Sequence, residues 1–377
     1  MLVARMSAKA FVGSQACKNM EWLRISIDFS IDTFTVAFLL RLLPTWSYPV
    51  AAYLIPARYR QQAQLRAARA IVKPLIEAHE DAVRRRAMGE VVEEEDTMLN
   101  WMLDHGTAKE KSLEQMADRQ CILTLASIHT TSMSVSNLLF DLCENPQYFN
   151  MVREEIDEVT QRLGKIGENP NVGLKEWLGN LEKLDSLFME SQRLHPPVLR
   201  TCFPPPLPLS HCSRHMTPAR VDLINNGWPY ADMQLIIVNP ARVAVEDITF
   251  KDGLTIPKGI KIAFLGHEHQ NDPAITTNPN IFDPLRNYRK RQASPETATK
   301  FVAGTVDQNN LGFGWGAQAC PGRFFAVAEI KLLVAIFLSQ FEFDYVPGKD
   351  KPKTMYAAEN LFLDPSATIM MRQRMKH

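Results

Sequence analysis

Apolar residues recur every three to four positions along most of the first half of the chain, a period that predicts helix after helix. The stretches WLRISIDFSIDTFTVAFLLRLL (22–43) and RYRQQAQLRAARAIVKPLIEAHEDAVRRR (58–86) both carry it. Between them and the next helix, the acidic run EVVEEED (90–96) reads as a solvated connector or a helix start. A long helical pattern runs from Leu113 to Glu144 and stops just before Asn145-Pro146. A further helix over 146–164 has that proline in its first turn, where the missing N–H costs nothing. Another lies within 173–197 and is closed by Pro196-Pro197. The texture then changes. Residues 200–234 have no clean period, and six prolines break any regular element there. Strand-like pieces follow at 241–250 and 254–264, with Asp252-Gly253 as the turn between them. A late apolar helix within 329–346 runs into a strand, and 366–374 reads as a closing strand. No internal repeat is present. The pattern predicts a mainly α fold with a small β-rich part.

Composition narrows the class. With 377 residues, 46% of them hydrophobic and 22% charged, the chain has the balance of a globular protein with a large core. Lys plus Arg and Asp plus Glu stand at 42 each, so no overall field favours nucleic acid, and none is expected as a partner. The six cysteines, Cys17, Cys121, Cys143, Cys202, Cys212 and Cys320, are scattered, which suggests a reducing compartment over a disulfide framework. No signal peptide follows Met1, and the apolar stretch 31–46 contains Asp32 and Arg41 and is too short for a bilayer. No membrane anchor is visible.

The candidate chemistry centres on FGWGAQACPGRFFA (313–326), which puts one cysteine among three glycines and a proline. Gly316 and Gly322 let the backbone turn tightly and lie close to a flat group without a Cβ in the way. The plainer alternative is a glycine-rich turn around a buried cysteine acting as a small hydrophobe. The spacing Phe313-x-x-Gly316-x-x-x-Cys320-x-Gly322 resembles the haem-binding signature of the cytochrome P450 family of haem-thiolate monooxygenases. That resemblance implies haem, iron protoporphyrin, with Cys320 as its axial thiolate ligand, Phe313 shielding the sulfur, and backbone N–H groups tuning it. ESQRLHPP resembles the family's E-x-x-R helix and FDPLR its P-x-R segment. Glu190, Arg193 and Arg286 would then form a buried charge network, a device for specificity more than for net stability. ASIHTT (126–131) resembles the oxygen-binding segment, in the variant of fungal secondary-metabolism members. Thr130, with Thr131 beside it, falls on the threonine whose hydroxyl and neighbouring water deliver protons to dioxygen. His129 stands where the family often has an acid, so either its imidazole joins the relay or water alone serves.

The resemblance covers residues 4–199 and 239–377, and implies one cytochrome P450 domain over 1–377. It also has departures. Gln318 replaces the usual Arg or His partner of a haem propionate, and Arg242 is a candidate second partner. W-x-x-x-R is absent. The segment 4–13 matches a mid-chain part of the family, so the front portion is expected to be missing, and the chain alone to bind haem weakly and turn over nothing. Residues 200–234 have no family counterpart and fit a translated intron. A zinc site from Cys202, His211, Cys212 and His215 is the other reading, without the paired C-x-x-C spacing that zinc sites favour. The resemblance implies a monooxygenase that takes an apolar, terpenoid or meroterpenoid substrate in a fungal biosynthetic pathway. Its electrons would come from an NADPH-cytochrome P450 reductase. A full-length relative would sit on the cytosolic face of the endoplasmic reticulum membrane. The alternative is a non-catalytic remnant of the same family.

Overall fold

The computed structural model describes residues 1–196, 200–201, 237–238, 241–352, 354–357, 360–364 and 366–374. Cys202, His211, Cys212 and His215, and nearly all of the 200–234 segment, lie outside the described residues. Two compact units are present, Met1–Ser132 and Met133–His377.

The first unit is helical. It contains α1 (Leu2–Phe11), α2 (Met20–Arg41), α3 (Tyr48–Leu54), α4 (Pro56–Ala87), α5 (Met98–His105) and the first part of α6 (Leu113–Glu144). Local chemistry sets the starts. The Asn19 side chain accepts from the amides of Glu21 and Trp22 at 2.9 and 3.1 Å, capping α2. Thr97 Oγ1 accepts from Asn100 N at 3.1 Å to cap α5, and Pro56 opens α4. Trp22, Leu23, Leu99 and Met116 are fully buried and form the centre of this unit. The acidic run 90–96 forms no helix and is the largely exposed connector expected, pinned at two points. Glu95 accepts from Lys9 Nζ at 2.7 Å and from Ser14 N at 2.6 Å, and Lys9 and Ser14 hold its carboxyl down at about 2. Glu94 reaches His79 Nδ1 at 3.0 Å.

The second unit holds the rest of α6, then α7 (Gln147–Leu163), α8 (Leu174–Gly179), α9 (Glu182–Leu194), α10 (Gly266–Gln270), α11 (Arg286–Gln292) and α12 (Arg323–Gln340). The region 173–197 thus contains two helices, broken at Asn180-Leu181. The N-terminus of α9 is satisfied from outside itself. Glu155 of α7 accepts from Lys183 N at 2.6 Å and from Leu184 N at 2.9 Å, occupying amides that a helix start leaves unpaired.

The strands form five antiparallel pairs among the described residues. β1 (Arg200–Thr201) pairs with β2 (Ile237–Val238). Then come β3 (Ala241–Val243), β4 (Ile248–Thr249), β5 (Thr255–Ile256) and β6 (Lys261–Ala263). β4 pairs with β5 across the turn at Gly253, where φ is +88°, and β3 pairs with β6 outside that hairpin. The predicted helix-to-strand passage is α12 into β7 (Phe341–Tyr345), and the predicted closing strand is β10 (Ile369–Gln373), paired with β7. The hairpin of β8 (Thr354–Ala357) and β9 (Asn360–Leu363) was not legible beforehand. No helix among the described residues is long and apolar enough to cross a membrane.

Candidate functional site

Three groups of residues carry the candidate chemistry. The first is built on α9. Ser186, Glu190 and Arg193, spaced four and three apart, share one face of the helix. Glu190 is fully buried, and its carboxylate accepts from Arg193 Nη2 at 2.7 Å and Nε at 3.0 Å. It also accepts from Arg286 Nε at 3.2 Å and from the backbone N–H of Asp283 at 3.0 Å. Arg286 spends its remaining donors on the carbonyls of Thr277 at 2.5 Å and Ile281 at 3.2 Å, and Arg193 reaches Asn271. Ser186 Oγ accepts from the amides of Asn287 and Tyr288, at 3.1 and 2.9 Å. One helix face therefore fixes the whole 283–288 segment. The three residues predicted for the charge network meet.

The second group is the cysteine loop. Gly314 and Gly316 take φ of +82° and +65°, a backbone that L side chains rarely adopt. Phe313 O accepts from Cys320 N at 2.8 Å and closes the loop, while a 3₁₀ turn over Gly316–Gln318 forms its tip. The carbonyl of Cys320 accepts from Arg323 Nη1 at 2.9 Å. The thiol of Cys320 is half-buried, whereas Cys121 and Cys143 are buried and burial pushes both thiols up to about 12. Arg242 of β3 donates from Nη2 to Trp315 O at 3.0 Å, which ties the outer strand pair to the loop. Gln318 is exposed on the tip.

The third group lies in the first unit, on α6. Thr130 Oγ1 donates to Ala126 O at 2.8 Å, the back-bond of a helical threonine. The His129 ring packs edge-on against Phe34 at 5.9 Å between centroids, and burial lowers its pKa, so the imidazole is neutral at pH 7. His129 Nε2 and Thr131 Oγ1 are buried without a hydrogen-bond partner among the described residues. They stand two positions apart on the helix and so face different sides, each a buried polar atom open to a polar partner of its own.

The residues fit a flat group held by a thiolate. A Cβ on Gly316 or Gly322 would meet nothing within 4 Å, so the loop presents an open face. Trp315 and Phe324 expose 44% and 57% of their surface beside that face, apolar area that asks for cover. The donor set is one accessible sulfur, and no cluster of three or more His, Cys, Asp or Glu ligands exists among the described residues. A cavity of about 850 Å³ in the second unit, lined by Arg153, Trp177 and Arg374, includes no residue of this loop.

The family profile described as Cytochrome P450 matches residues 34–203 and 233–371. The chain belongs to the cytochrome P450 family. It is 40% identical over 372 residues to cytochrome P450 monooxygenase ATR4 of Stachybotrys chlorohalonatus, covering 98% of this chain and 62% of that protein. It is 37% identical to cytochrome P450 monooxygenase sdnB of Sordaria araneosa, covering 99% and 61%. It is 32% identical to ent-kaurene oxidase P450-4 of Gibberella fujikuroi, covering 99% and 64%. The chain thus spans about three fifths of the length of these curated relatives. Among solved structures, retinoic acid bound cyanobacterial CYP120A1 shares the fold with a TM-score of 0.63 at 18% identity, covering 99% of this chain and 67% of that one. A P450 chain of this kind is mostly helical with small sheets, as the hydrophobic pattern predicted.

Several residues with specific partners escaped sequence reasoning. Arg323 had a usable signal: a cation in the first turn of a helix opposes the macrodipole and needs a local partner, here the Cys320 carbonyl. Asp141, His195 and Lys351 had none. They meet from far apart in sequence, with His195 Nε2 and Lys351 Nζ at 3.1 and 2.7 Å from Asp141.

Proposed function

We propose that the chain carries the haem-binding part of a fungal P450 monooxygenase acting on an apolar, terpenoid or meroterpenoid substrate. The observation that carries this reading is Cys320, a half-buried thiol in a loop whose glycines leave one face open. Cys320 holds the iron as thiolate, and Arg242 at the loop's edge takes a haem propionate. Gln318 offers the other propionate a neutral hydrogen bond, weaker than the charge-assisted one it replaces. Haem, once bound, supplies the chemistry: one atom of dioxygen enters a C–H bond and the other leaves as water, with two electrons from an NADPH-dependent reductase and two protons. The protein's part on α6 is the protons. Thr130 donates its hydroxyl hydrogen bond to Ala126 O, and its oxygen accepts one from an incoming water. The neutral imidazole of His129 offers Nε2 to the same water chain. The substrate class is supported by the relative named an ent-kaurene oxidase. The test uses the chain extended at its front from the Stachybotrys relative, with reductase and NADPH. Thr130→Ala is expected to cut product formed per NADPH consumed by about tenfold or more while NADPH oxidation continues. Unchanged coupling removes Thr130 from the relay, and no product from the parent protein on any terpenoid favours a non-catalytic remnant.

Residues 200–234 are, on this reading, foreign to an otherwise single P450 domain. The family profile stops at 203 and resumes at 233, which supports it. Joining Leu199 directly to Leu235 should raise soluble yield and leave the thermal unfolding of the rest unchanged. Loss of folding, with zinc found in the parent chain by metal analysis, would instead favour a cysteine–histidine site in that segment.

A further inference from the structure

We propose that a second face of α9, formed by Asp185, Phe188 and Gln192, sets the position of the loop that carries Cys320. The three are spaced three and four apart and so lie on one side of the helix, distinct from the side of Ser186, Glu190 and Arg193. Each holds a different point of one continuous segment, 303–331. Asp185 is 1% exposed and closes the base of that segment: Oδ2 accepts from Ala303 N at 2.7 Å, and Oδ1 accepts from Lys331 Nζ at 2.9 Å. The stretch entering the loop and the helix leaving it thus meet on one buried carboxylate. Further along α9, the Phe188 ring packs on the Phe313 ring, 6.4 Å between centroids. One turn beyond, Gln192 lies against Gly312.

The last contact is the tightest. A Cβ on Gly312 would stand 2.5 Å from Cδ and Oε1 of Gln192 and 3.1 Å from its Cγ. Gly312 is not among the glycines with positive φ, so its backbone admits an L side chain and the glycine is there for space. Gln192 is buried, and its Nε2 has no hydrogen-bond partner among the described residues, so at that nitrogen packing, not a hydrogen bond, sets the amide's place. Gly312 leads into Phe313, whose carbonyl accepts from Cys320 N at 2.8 Å. The side chain of Gln192 therefore determines, through two residues and one hydrogen bond, where the Cys320 backbone sits. Asp185, Phe188 and Gln192 are positioning residues. Their consequence for ligation rests on the reading of Cys320 as the haem ligand, but the positioning itself does not.

The test measures amide hydrogen exchange in the haem-free full chain, which reports local opening. Gly312→Ala should speed exchange at the Cys320 amide by about tenfold or more, with exchange across 286–292, on the other face of α9, unchanged. Adding Gln192→Ala to that variant should bring Cys320 exchange back to within about threefold of the parent, because the two side chains compete for one space. Unchanged exchange in Gly312→Ala means that the Gln192 amide swings aside freely, and it overturns the proposal. Equal loosening of 286–292 overturns it too. Should Gly312→Ala fail to fold, the double variant decides: recovery supports the proposal, and failure sinks it. In haem-loaded protein, Gly312→Ala should also lower the share of the reduced carbon-monoxide complex with thiolate-type absorption, and Gln192→Ala should restore it. A parent protein without that absorption, but with the exchange pattern intact, would refute the haem reading and leave the positioning role standing.

Discussion

Cys320→Ala should abolish the red-shifted absorption of the reduced carbon-monoxide complex that marks thiolate-bound haem, and Cys121→Ala should leave it intact. The contrast follows from the surroundings of the two thiols. Only an ionised sulfur binds iron well, and burial on α6 pushes the Cys121 thiol up to about 12, so it is protonated at any working pH. Cys143 is held at about the same value for the same reason. Cys320 sits instead in a half-exposed loop beside an open face, just before the N-terminal end of α12. No group of three or more His, Cys, Asp or Glu side chains that could hold a metal ion in its place is found among the described residues. The effect is therefore all or none. The measurement is a difference spectrum on the chain extended at its front, with haem content determined separately. Retained thiolate absorption in Cys320→Ala ends the assignment, and loss of it in Cys121→Ala as well would point to general unfolding.

How much of this was legible beforehand depends on whether a feature is local. The α6 boundaries were readable because a helical period meets Asn145-Pro146, and local sequence alone decides that stop. The Cys320 turn was readable because two of its three glycines, Gly314 and Gly316, take φ of +82° and +65°, a backbone that L side chains rarely adopt. Glu190 and Arg193 were visible as a pair one turn apart, but an identical spacing on the surface, Lys165 and Glu168, makes an exposed pair at 3.4 Å. Nothing in the spacing separates the two cases. Burial does, and burial is a property of the fold. The same holds for Asp185 and Lys331, paired across 146 residues, and for the docking of Glu95 on Lys9 and Ser14. Such pairs carry no periodic signature, because the chain that brings them together is the whole unit.

Glu190→Ala should unfold the second unit or bring it close to unfolding. The carboxylate is fully buried and serves two guanidiniums and one backbone N–H. Removing it leaves Arg193 and Arg286 facing each other, both buried and both still charged, since a guanidinium does not give up its proton in a protein. Breaking a buried pair from one side costs about 3–5 kcal/mol, chiefly as uncompensated charge. That is a large part of the roughly 5–15 kcal/mol that holds a domain folded. Glu190→Gln should be nearly as harmful, because it keeps one acceptor but turns an amide donor toward the same cations. Arg286 retains the Thr277 and Ile281 carbonyls, so the 283–288 segment would stay near its place even as the charge is stranded. Removing the carboxylate and neutralising one arginine together, as in Glu190→Gln/Arg193→Met, should therefore recover part of the loss. Urea unfolding of the three variants and of Glu168→Ala settles it. The surface variant should match the parent within error, as exposed pairs contribute little. A Glu190→Ala protein as stable as Glu168→Ala would mean that water already reaches the arginines, and that the network is not the buried device described for this face of α9.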